Sequence, residues 1–151
     1  MNKVSFRAEE LPMPPWTKTA GSFIRRVLGV LGLRNWEVSV LFCTNRYIKA
    51  LNAQYREKDE ATDVLSFPLG EEGPGGQYLA GDIIISLDAL EENARFFKVS
   101  ADEELRRLMV HGILHLYGYD HATNRKGEPM LKLQEEILAR INEFGLAEKN
   151  K

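Results

Sequence analysis

All three histidines of this 151-residue chain lie within the eleven-residue segment HGILHLYGYDH at 111–121. His111 and His115 are four residues apart, so on a helix both imidazoles project from the same face. Gly118 can adopt the backbone conformation that ends a helix, and the turn after it can return His121 to the same point. Three nitrogen ligands leave the fourth position of tetrahedral Zn²⁺ open to water, as in catalytic zinc sites. The segment therefore predicts a metal-dependent hydrolase with one Zn²⁺ ion.

The same segment resembles the HExxHxxGxxH zinc motif of the metzincin proteases, with both histidine spacings and the glycine. It departs at Gly112, where these proteases have the Glu that acts as general base. An ordinary peptidase mechanism is disfavoured, because nothing at this helical position can accept a proton. A single histidine is more often a separately satisfied side chain than a ligand, but three at this spacing favour a metal. Imidazole also suits Ni²⁺, Co²⁺ and Mn²⁺, so zinc is not the only candidate.

Composition limits the other functional classes. With 44% hydrophobic and 28% charged residues, we expect residues 1–151 to form a single metal-dependent hydrolase domain with one core. No apolar run approaches the roughly 18 to 20 residues that span a bilayer, and no leader pattern opens the sequence. We therefore expect a cytoplasmic protein without a membrane partner. A formal charge of −2 argues against bulk electrostatic coating of nucleic acid. Cys43, the single cysteine, is expected to be a buried hydrophobe.

Apolar periodicity and turn residues predict an α+β fold with a mixed sheet of about four strands and helices packed on it. Strands are predicted at 3–8, 36–43, 64–67 and 81–86, and helices at 16–31, 45–55, 87–97, 101–116 and 130–144. Pro68 is expected to end the third strand, and the GEEGPGG stretch at 70–76 to be a mobile loop. Thr44 and a capping box at Ser100 are expected to start two helices. The histidine helix is apolar nearly all round from 108 to 116, which predicts a central, buried position.

Three blocks of sequence carry a resemblance to a known family. They are LNAQYREKDEATDVLSFP at 51–68, GDIIIS at 81–86 and HGILHLYGYDH at 111–121, and together they cover about the middle half of the chain. In order and approximate spacing they resemble the YbeY family of bacterial rRNA-maturation endoribonucleases. Residues 1–34 and 124–151 match only through compatible helix patterns. Ala61 stands where the family pattern leads us to expect a proline, which bears on loop stiffness.

The resemblance implies a zincin-like fold in which a central buried helix carries two metal-ligand histidines. It also implies single-strand-specific cleavage of RNA during maturation of the 3′ end of small-subunit (16S) rRNA, and a role in late ribosome quality control. Single-stranded rRNA and the small ribosomal subunit would be the partners. The zinc ligands of the family carry over onto His111, His115 and His121, and its functionally important arginine carries over onto Arg56.

Two further residues have competing interpretations. Arg56 is expected to donate bidentate hydrogen bonds to a phosphate oxygen and to stabilise the charge of the transition state, but it could also be an exposed cation near a helix C-terminus. Asp120, beside His121, is either a proton shuttle or a group that orients a ligand or shapes the turn. Asp63 and Asp82 flank strands, where we expect hydrogen bonds rather than catalysis.

Other functions stay open at this stage. Tyr55, Phe67 and Tyr78 could stack on unpaired bases, although core packing is the more ordinary role for Phe67. A second class of enzyme is a metal-dependent peptidase, or a hydrolase that acts on a small ester or amide. A non-enzymatic alternative is a ribosome-assembly factor in which zinc only ties the last helices to the body of the protein. Activity of an Arg56→Ala variant would separate the nuclease from the assembly factor.

Overall fold

One mixed sheet forms the centre of the computed structural model, which describes residues 1–119 and 128–141. Its strands are β1 (Lys3–Ala8), β2 (Trp36–Cys43), β3 (Val64–Glu72) and β4 (Tyr78–Ser86). They lie in the order β1-β2-β4-β3. The pairs β1–β2 and β2–β4 are parallel, and β3 pairs antiparallel with β4. The predicted α+β class and the four-stranded mixed sheet are confirmed for the described residues, and β1 and β2 have the predicted bounds.

Five α-helices are described around the sheet: α1 (Thr17–Val30), α2 (Asn45–Arg56), α3 (Leu87–Phe97), α4 (Ala101–Leu116) and α5 (Pro129–Arg140). Thr44 Oγ1 accepts the Tyr47 N–H at 3.2 Å, and Ser100 Oγ accepts the Glu103 N–H at 3.0 Å. Both predicted starts are confirmed, because these hydroxyls satisfy N–H groups that lack a partner within the helix. α5 ends at Arg140, four residues before the predicted end at 144, and the predicted stop at Gly145 lies outside the described residues.

The core lies on both faces of the sheet. On one face, Ile83 and Ile85 of β4 pack in a cluster with α1 and α4, and Met109 and Ile113 of α4 are fully buried. The opposite face carries a smaller cluster that includes Leu41, Ile48, Leu65 and Ile84 and that covers the sheet with α2. The histidine helix is therefore central and buried, as predicted. No helix within residues 1–119 and 128–141 combines the length and apolarity that a membrane crossing needs.

Cys43 is fully buried at the end of β2. Its Sγ lies 3.6 Å from the backbone oxygen of Ile85. Burial raises the pKa of the thiol to about 12, so the reactive thiolate is disfavoured. The prediction that Cys43 is a buried hydrophobe is confirmed.

Pro68 does not end the third strand, which continues to Glu72. The prediction was wrong because β3 is an edge strand, where a residue without an N–H need not break a ladder on both sides. The pairing with β4 shifts register between Pro68 and Glu71, so the strand passes the proline through an irregularity. β4 begins at Tyr78, three residues earlier than the predicted start at Gly81.

Part of the GEEGPGG stretch at 70–76 forms regular structure where a loop was predicted. Its first residues complete β3, and Pro74–Gly76 forms a short 3₁₀ turn that leads into β4. The Gly73 N–H donates to the Gln77 carbonyl at 2.7 Å and closes the hairpin. Gly75 and Gly76 have φ values of 71° and 81°, so these glycines supply the left-handed conformations of a turn.

Candidate metal centre and active-site cleft

A cleft of about 310 Å³ lies where the C-terminal half of α4 faces the edge strand β3 and the end of α2. It is lined by Arg56, Val64, Leu65, Ser66, Pro68, His111, His115, Gly118 and Tyr119. Three of the five predicted site residues, Arg56, His111 and His115, therefore meet in one place. The other two, Asp120 and His121, lie outside the described residues.

His111 and His115 point their Nε2 atoms at each other. The two Nε2 atoms are 3.1 Å apart, and the ring planes are inclined by 73°. Both side chains come from adjacent turns of α4, as their spacing predicted. The helix is held by its buried residues, so the two imidazoles start from a rigid backbone.

The Nδ1 atom of each ring faces an oxygen. His115 Nδ1 lies 3.1 Å from the backbone oxygen of Tyr119, and His111 Nδ1 lies 2.8 Å from Oε1 of Gln134 on α5. The Tyr119 carbonyl reaches this position because Gly118 turns the chain with φ 107°. A carbonyl oxygen only accepts, so Nδ1 of His115 carries the proton and Nε2 of the neutral ring carries the lone pair.

These donors fit a divalent cation. Two Nε2 atoms 3.1 Å apart cannot both present a bare lone pair without repulsion, so this contact needs either a shared proton or a bound cation. Two nitrogens at the usual Zn–N distance of a tetrahedral ion are roughly 3.3 to 3.4 Å apart, close to the observed separation. Within residues 1–119 and 128–141 no three His, Cys, Asp or Glu side chains form a metal-binding group. The described pair offers two candidate ligands, and the third predicted ligand, His121, lies beyond those ranges.

The close packing of α4 on the sheet accounts for glycine at position 112, where the metzincin pattern has Glu. A Cβ atom added to this residue would lie 2.7 Å from Cγ2 of Ile83 in β4, closer than two carbons can approach. Ser66 Oγ of β3 donates to the Gly112 carbonyl at 3.3 Å in the same buried contact. Any side chain at this position, including the Glu of a protease, would therefore overlap Ile83 unless the helix or the sheet shifted.

Arg56 is the last residue of α2 and reaches the cleft from the side opposite α4. Its Nη2 donates to the Ser66 carbonyl at 2.8 Å, and its guanidinium carbon lies 5.6 Å from the centre of the Phe67 ring. These two contacts fix the guanidinium while leaving other N–H groups available, since arginine has five. Ser66 contacts both Arg56 and Gly112, so it connects the arginine to the histidine helix.

The predicted aromatic residues have different surroundings. Tyr55 is 61% exposed and packs edge-on against Phe67, with 5.7 Å between ring centres. Phe67 is partly buried and joins the smaller core cluster. Tyr78 packs on Trp36 at 5.2 Å as part of the larger core cluster. Tyr55 is therefore the one of these three with a large exposed face beside Arg56.

Asp63 and Asp82, the two aspartates that flank strands, have different surroundings. Asp63 Oδ2 accepts from Asn93 Nδ2 at 3.0 Å, and the Asp63 backbone oxygen accepts the Ser86 N–H at 3.0 Å. Hydrogen bonding of Asp63 at a strand end is thus confirmed. Asp82 is exposed on β4.

Comparison with known proteins decides the family. Residues 3–142 match the family model described as Endoribonuclease YbeY. The chain belongs to the YbeY family. Relatives named Endoribonuclease YbeY include a Treponema denticola protein that is 53% identical over 121 residues, 78% of either chain. A relative from Treponema pallidum (strain Nichols) is 46% identical over 143 residues, which cover 92% of this chain and 89% of the relative. The resemblance drawn from the three sequence blocks is confirmed.

A solved structure has the same architecture. The solution structure of a Thermotoga maritima protein covers 94% of this chain and 92% of its own, with a TM-score of 0.61 and 29% identity. The YbeY match spans both the described residues and the segment between Tyr119 and Glu128, so the third predicted ligand falls inside the matched region.

Sequence reasoning missed Gln134, the partner of His111. Gln134 is 6% exposed and lies on the apolar face of α5, between Met130 and Ile137. A polar side chain at an apolar-face position is costly to bury unless it is hydrogen-bonded, so its place in the helix pattern was a usable signal. Ser66, the second missed residue, carries no comparable signal, because its partner Gly112 is 46 positions away.

Proposed function

We propose that this chain is a metal-dependent endoribonuclease that cleaves single-stranded RNA, with His111, His115 and His121 as ligands of one Zn²⁺ ion and Arg56 as the phosphate-binding residue. The observation that carries the proposal is the convergence of two imidazole Nε2 atoms and one anchored guanidinium on the same cleft. Membership of a family of endoribonucleases supports RNA as the substrate.

Residues of this chain orient the candidate metal ligands in the cleft before any substrate binds. Bound to these nitrogens, a divalent cation supplies Lewis acidity toward water and a phosphate oxygen. The buried backbone of α4 and the hydrogen bonds at both Nδ1 atoms keep the Nε2 lone pairs of His111 and His115 directed into the cleft. No reorganisation is then needed when charge develops in the reaction.

Arg56 acts on the substrate from the opposite side. Its contact with the Ser66 carbonyl uses one donor, and its remaining donors can hold the oxygens of a phosphate in a planar, bidentate arrangement. A pentacoordinate phosphorus carries more negative charge than the ground state, so a guanidinium fixed in advance stabilises the transition state more than the substrate. In this proposal Arg56 orients the phosphate and lowers the barrier.

The surface beside Arg56 supports the proposed preference for single strands. The exposed ring of Tyr55 can stack on an unpaired base, whereas bases within a duplex already stack on their neighbours. The proposal includes the finer expectations: a zincin-like, single hydrolase domain over 1–151, a cytoplasmic role in maturing the 3′ end of 16S rRNA on the small subunit, and late ribosome quality control. Asp120 remains a candidate for proton transfer or for orienting a ligand.

A peptidase is the weaker alternative, because Gly112 supplies no general base and a Cβ at this position would lie 2.7 Å from Cγ2 of Ile83. A ribosome-assembly factor with a structural zinc differs from the nuclease in that it would not cleave RNA. We expect the parent protein to cleave an unstructured RNA and to leave the same RNA intact when it is annealed to its complement. Arg56→Ala should slow cleavage by about 100- to 1000-fold while the metal content stays unchanged.

Lys49→Ala is the matched control, since it removes another exposed cation from the same helix. It should cleave at nearly the parent rate. Cleavage by Arg56→Ala at the rate of Lys49→Ala would refute the role of Arg56. Equal cleavage of the single strand and the duplex would refute the substrate class, and no cleavage by the parent would favour the assembly factor.

A further inference from the structure

We propose that Gln134 of α5 is a positioning residue that fixes the orientation and tautomer of His111, and that Glu135 and Arg107 hold Gln134 in place. The inference rests on the proposed metal centre and adds to it a group outside the cleft that sets metal affinity. It assigns the last described helix a role in the site rather than in packing alone.

The first observation is the burial of a polar side chain at the site. Gln134 is 6% exposed, and its neighbours on the same helix face, Met130, Ile137 and Leu138, are apolar and buried. An amide in such a place costs free energy unless its polar atoms are paired. Its Oε1 lies 2.8 Å from Nδ1 of His111, so the amide is buried where it meets the metal-ligand ring.

The second observation fixes which way the amide points. A glutamine amide can be turned over, which exchanges its oxygen and nitrogen, and the hydrogen-bond partners decide between the two orientations. Gln134 Nε2 lies 3.3 Å from Oε2 of Glu135, and a carboxylate oxygen accepts. The nitrogen of Gln134 therefore faces Glu135 and the oxygen faces His111. His111 then donates from Nδ1, which leaves its Nε2 lone pair for the cation.

The third observation is the anchor of Glu135. Arg107 donates to Glu135 from Nε and from Nη2, both at 3.0 Å, in a bidentate pair that joins α4 to α5. Hydrogen bonding of the Arg107 guanidinium to the Glu135 carboxylate raises the pKa of Arg107 above its usual range. Arg107 also contacts Glu103 at 3.3 Å and the buried Glu104 at 3.4 Å on its own helix. The carboxylate that orients Gln134 is thus held by an arginine one turn before His111.

The two described ligands are therefore oriented by different means. His115 uses a backbone carbonyl, which no substitution of a side chain removes directly. His111 uses a side chain from another helix, 23 positions away. Metal affinity can accordingly be changed through α5 without altering a ligand.

The test measures Zn²⁺ affinity of the metal-free protein by competition with a chromophoric chelator, together with the melting temperature of the same metal-free sample. Gln134→Met keeps the length of the side chain and removes the acceptor, and it should weaken Zn²⁺ binding by about 10- to 100-fold. Glu136→Met is the matched control, since it places the same residue at an exposed position of α5. It should bind Zn²⁺ as the parent does.

A second variant tests whether the hydrogen bond to His111, rather than any change at position 134, sets the Zn²⁺ affinity. The exchange Gln134→Glu with Glu135→Gln keeps the net charge, an acceptor for His111, a donor between the two residues and, in the amide oxygen at position 135, an acceptor for Arg107. It should restore Zn²⁺ affinity to within about 3-fold of the parent. Parent-like affinity of Gln134→Met, a lowered melting temperature without a change in affinity, or an exchange variant as weak as Gln134→Met would each overturn the inference.

A measurement on the unmodified chain covers the case in which Gln134→Met fails to fold. Nitrogen-15 NMR of the metal-free parent reports which imidazole nitrogen of His111 carries the proton. The inference predicts Nδ1, and protonation of Nε2 alone would overturn it. If the parent binds Zn²⁺ and cleaves RNA while Gln134→Met behaves as the parent, only this inference fails. A parent that binds no divalent metal refutes the proposed function as well.

Discussion

The two walls of the cleft are built in different ways. The α4 wall presents His111 and His115 from a helix packed in the core, and their Nδ1 atoms are held by Gln134 and a backbone carbonyl. The opposite wall presents Arg56 from a helix end beside an edge strand, with the exposed Tyr55 next to it. A metal ion needs fixed donors at short distances, whereas an RNA strand of varied sequence needs a surface that accepts many bases. Under the proposed function, the buried α4 wall would hold the metal ion in a fixed geometry, and the exposed wall would contact the RNA strand.

The largest effect is expected from breaking the α4 wall. His115→Ala removes a nitrogen donor and should lower the cleavage rate of a single-stranded RNA by at least about 1000-fold, because the site loses its Lewis acid. Single-turnover cleavage measures the rate, and elemental analysis measures the lost metal. His115 is only partly buried, so the melting temperature of the metal-free protein should change little. A variant that cleaves at the parent rate would show that the buried wall has no part in catalysis.

A smaller effect is expected from a conservative change in the exposed wall. Arg56→Lys keeps the positive charge but loses the planar pair of donors, so cleavage should slow by about 10- to 100-fold. Metal content should equal that of the parent, because Arg56 contacts Ser66 and Phe67 and neither of the two described candidate ligands. Single-turnover rates with parent, Arg56→Lys and Arg56→Ala should fall in that order. Full activity of the lysine variant would mean that charge alone matters at this wall.

The packing of the α4 wall against the sheet can be tested through Gly112. Gly112→Ala should lower the free energy of unfolding by about 1 to 3 kcal/mol, since its Cβ would overlap Ile83. Gly29→Ala is the control, because nothing lies within 4 Å of a Cβ there and alanine favours the helix α1 by about 0.5 to 1 kcal/mol. Urea unfolding of both variants gives the two free energies. A stabilised Gly112→Ala would contradict the close contact of α4 with the sheet.

The smallest effect is expected at the outer edge of the exposed wall. Tyr55→Ala should weaken binding of a single-stranded RNA by about 1 kcal/mol, roughly 5-fold, through the loss of one stacking surface. Phe96→Ala is the control, because Phe96 is a 79% exposed aromatic residue outside the lining of the cleft. Fluorescence anisotropy of a labelled RNA with metal-free protein compares the two without turnover. Equal affinities for both variants would remove Tyr55 from the binding surface.

Local chemistry explains which parts of the fold were predictable. The bounds of β1 follow from alternation and those of β2 from β-branched and aromatic residues. The caps Thr44 and Ser100 follow from hydroxyl groups beside a helix start, and all of these signals involve neighbours in sequence. The errors at Pro68 and the 70–76 stretch have one cause. Whether a proline breaks a strand depends on the place of that strand in the sheet, and the sequence pattern does not state the sheet order.

The residues of the candidate site also divide into those predictable from neighbours in sequence and those that depend on tertiary contacts. His111 and His115 were predictable because a helix brings residues four positions apart together. The arrival of Arg56 beside them depends on tertiary contacts through Ser66, and the sequence indicated it only through resemblance to a family. Gln134 was missed because its partner lies 23 positions away. The roles of His121 and Asp120 remain predictions, since both lie outside the described residues.

The central claim is that one divalent cation, held by the histidines of the α4 wall, is required for RNA cleavage. The direct measurement is elemental analysis of the purified protein combined with cleavage of an unstructured RNA before chelation, after chelation and after Zn²⁺ is returned. The account predicts about one metal ion per chain, loss of cleavage when the ion is removed, and recovery when Zn²⁺ is restored. Undiminished cleavage by protein shown to contain no metal would contradict it.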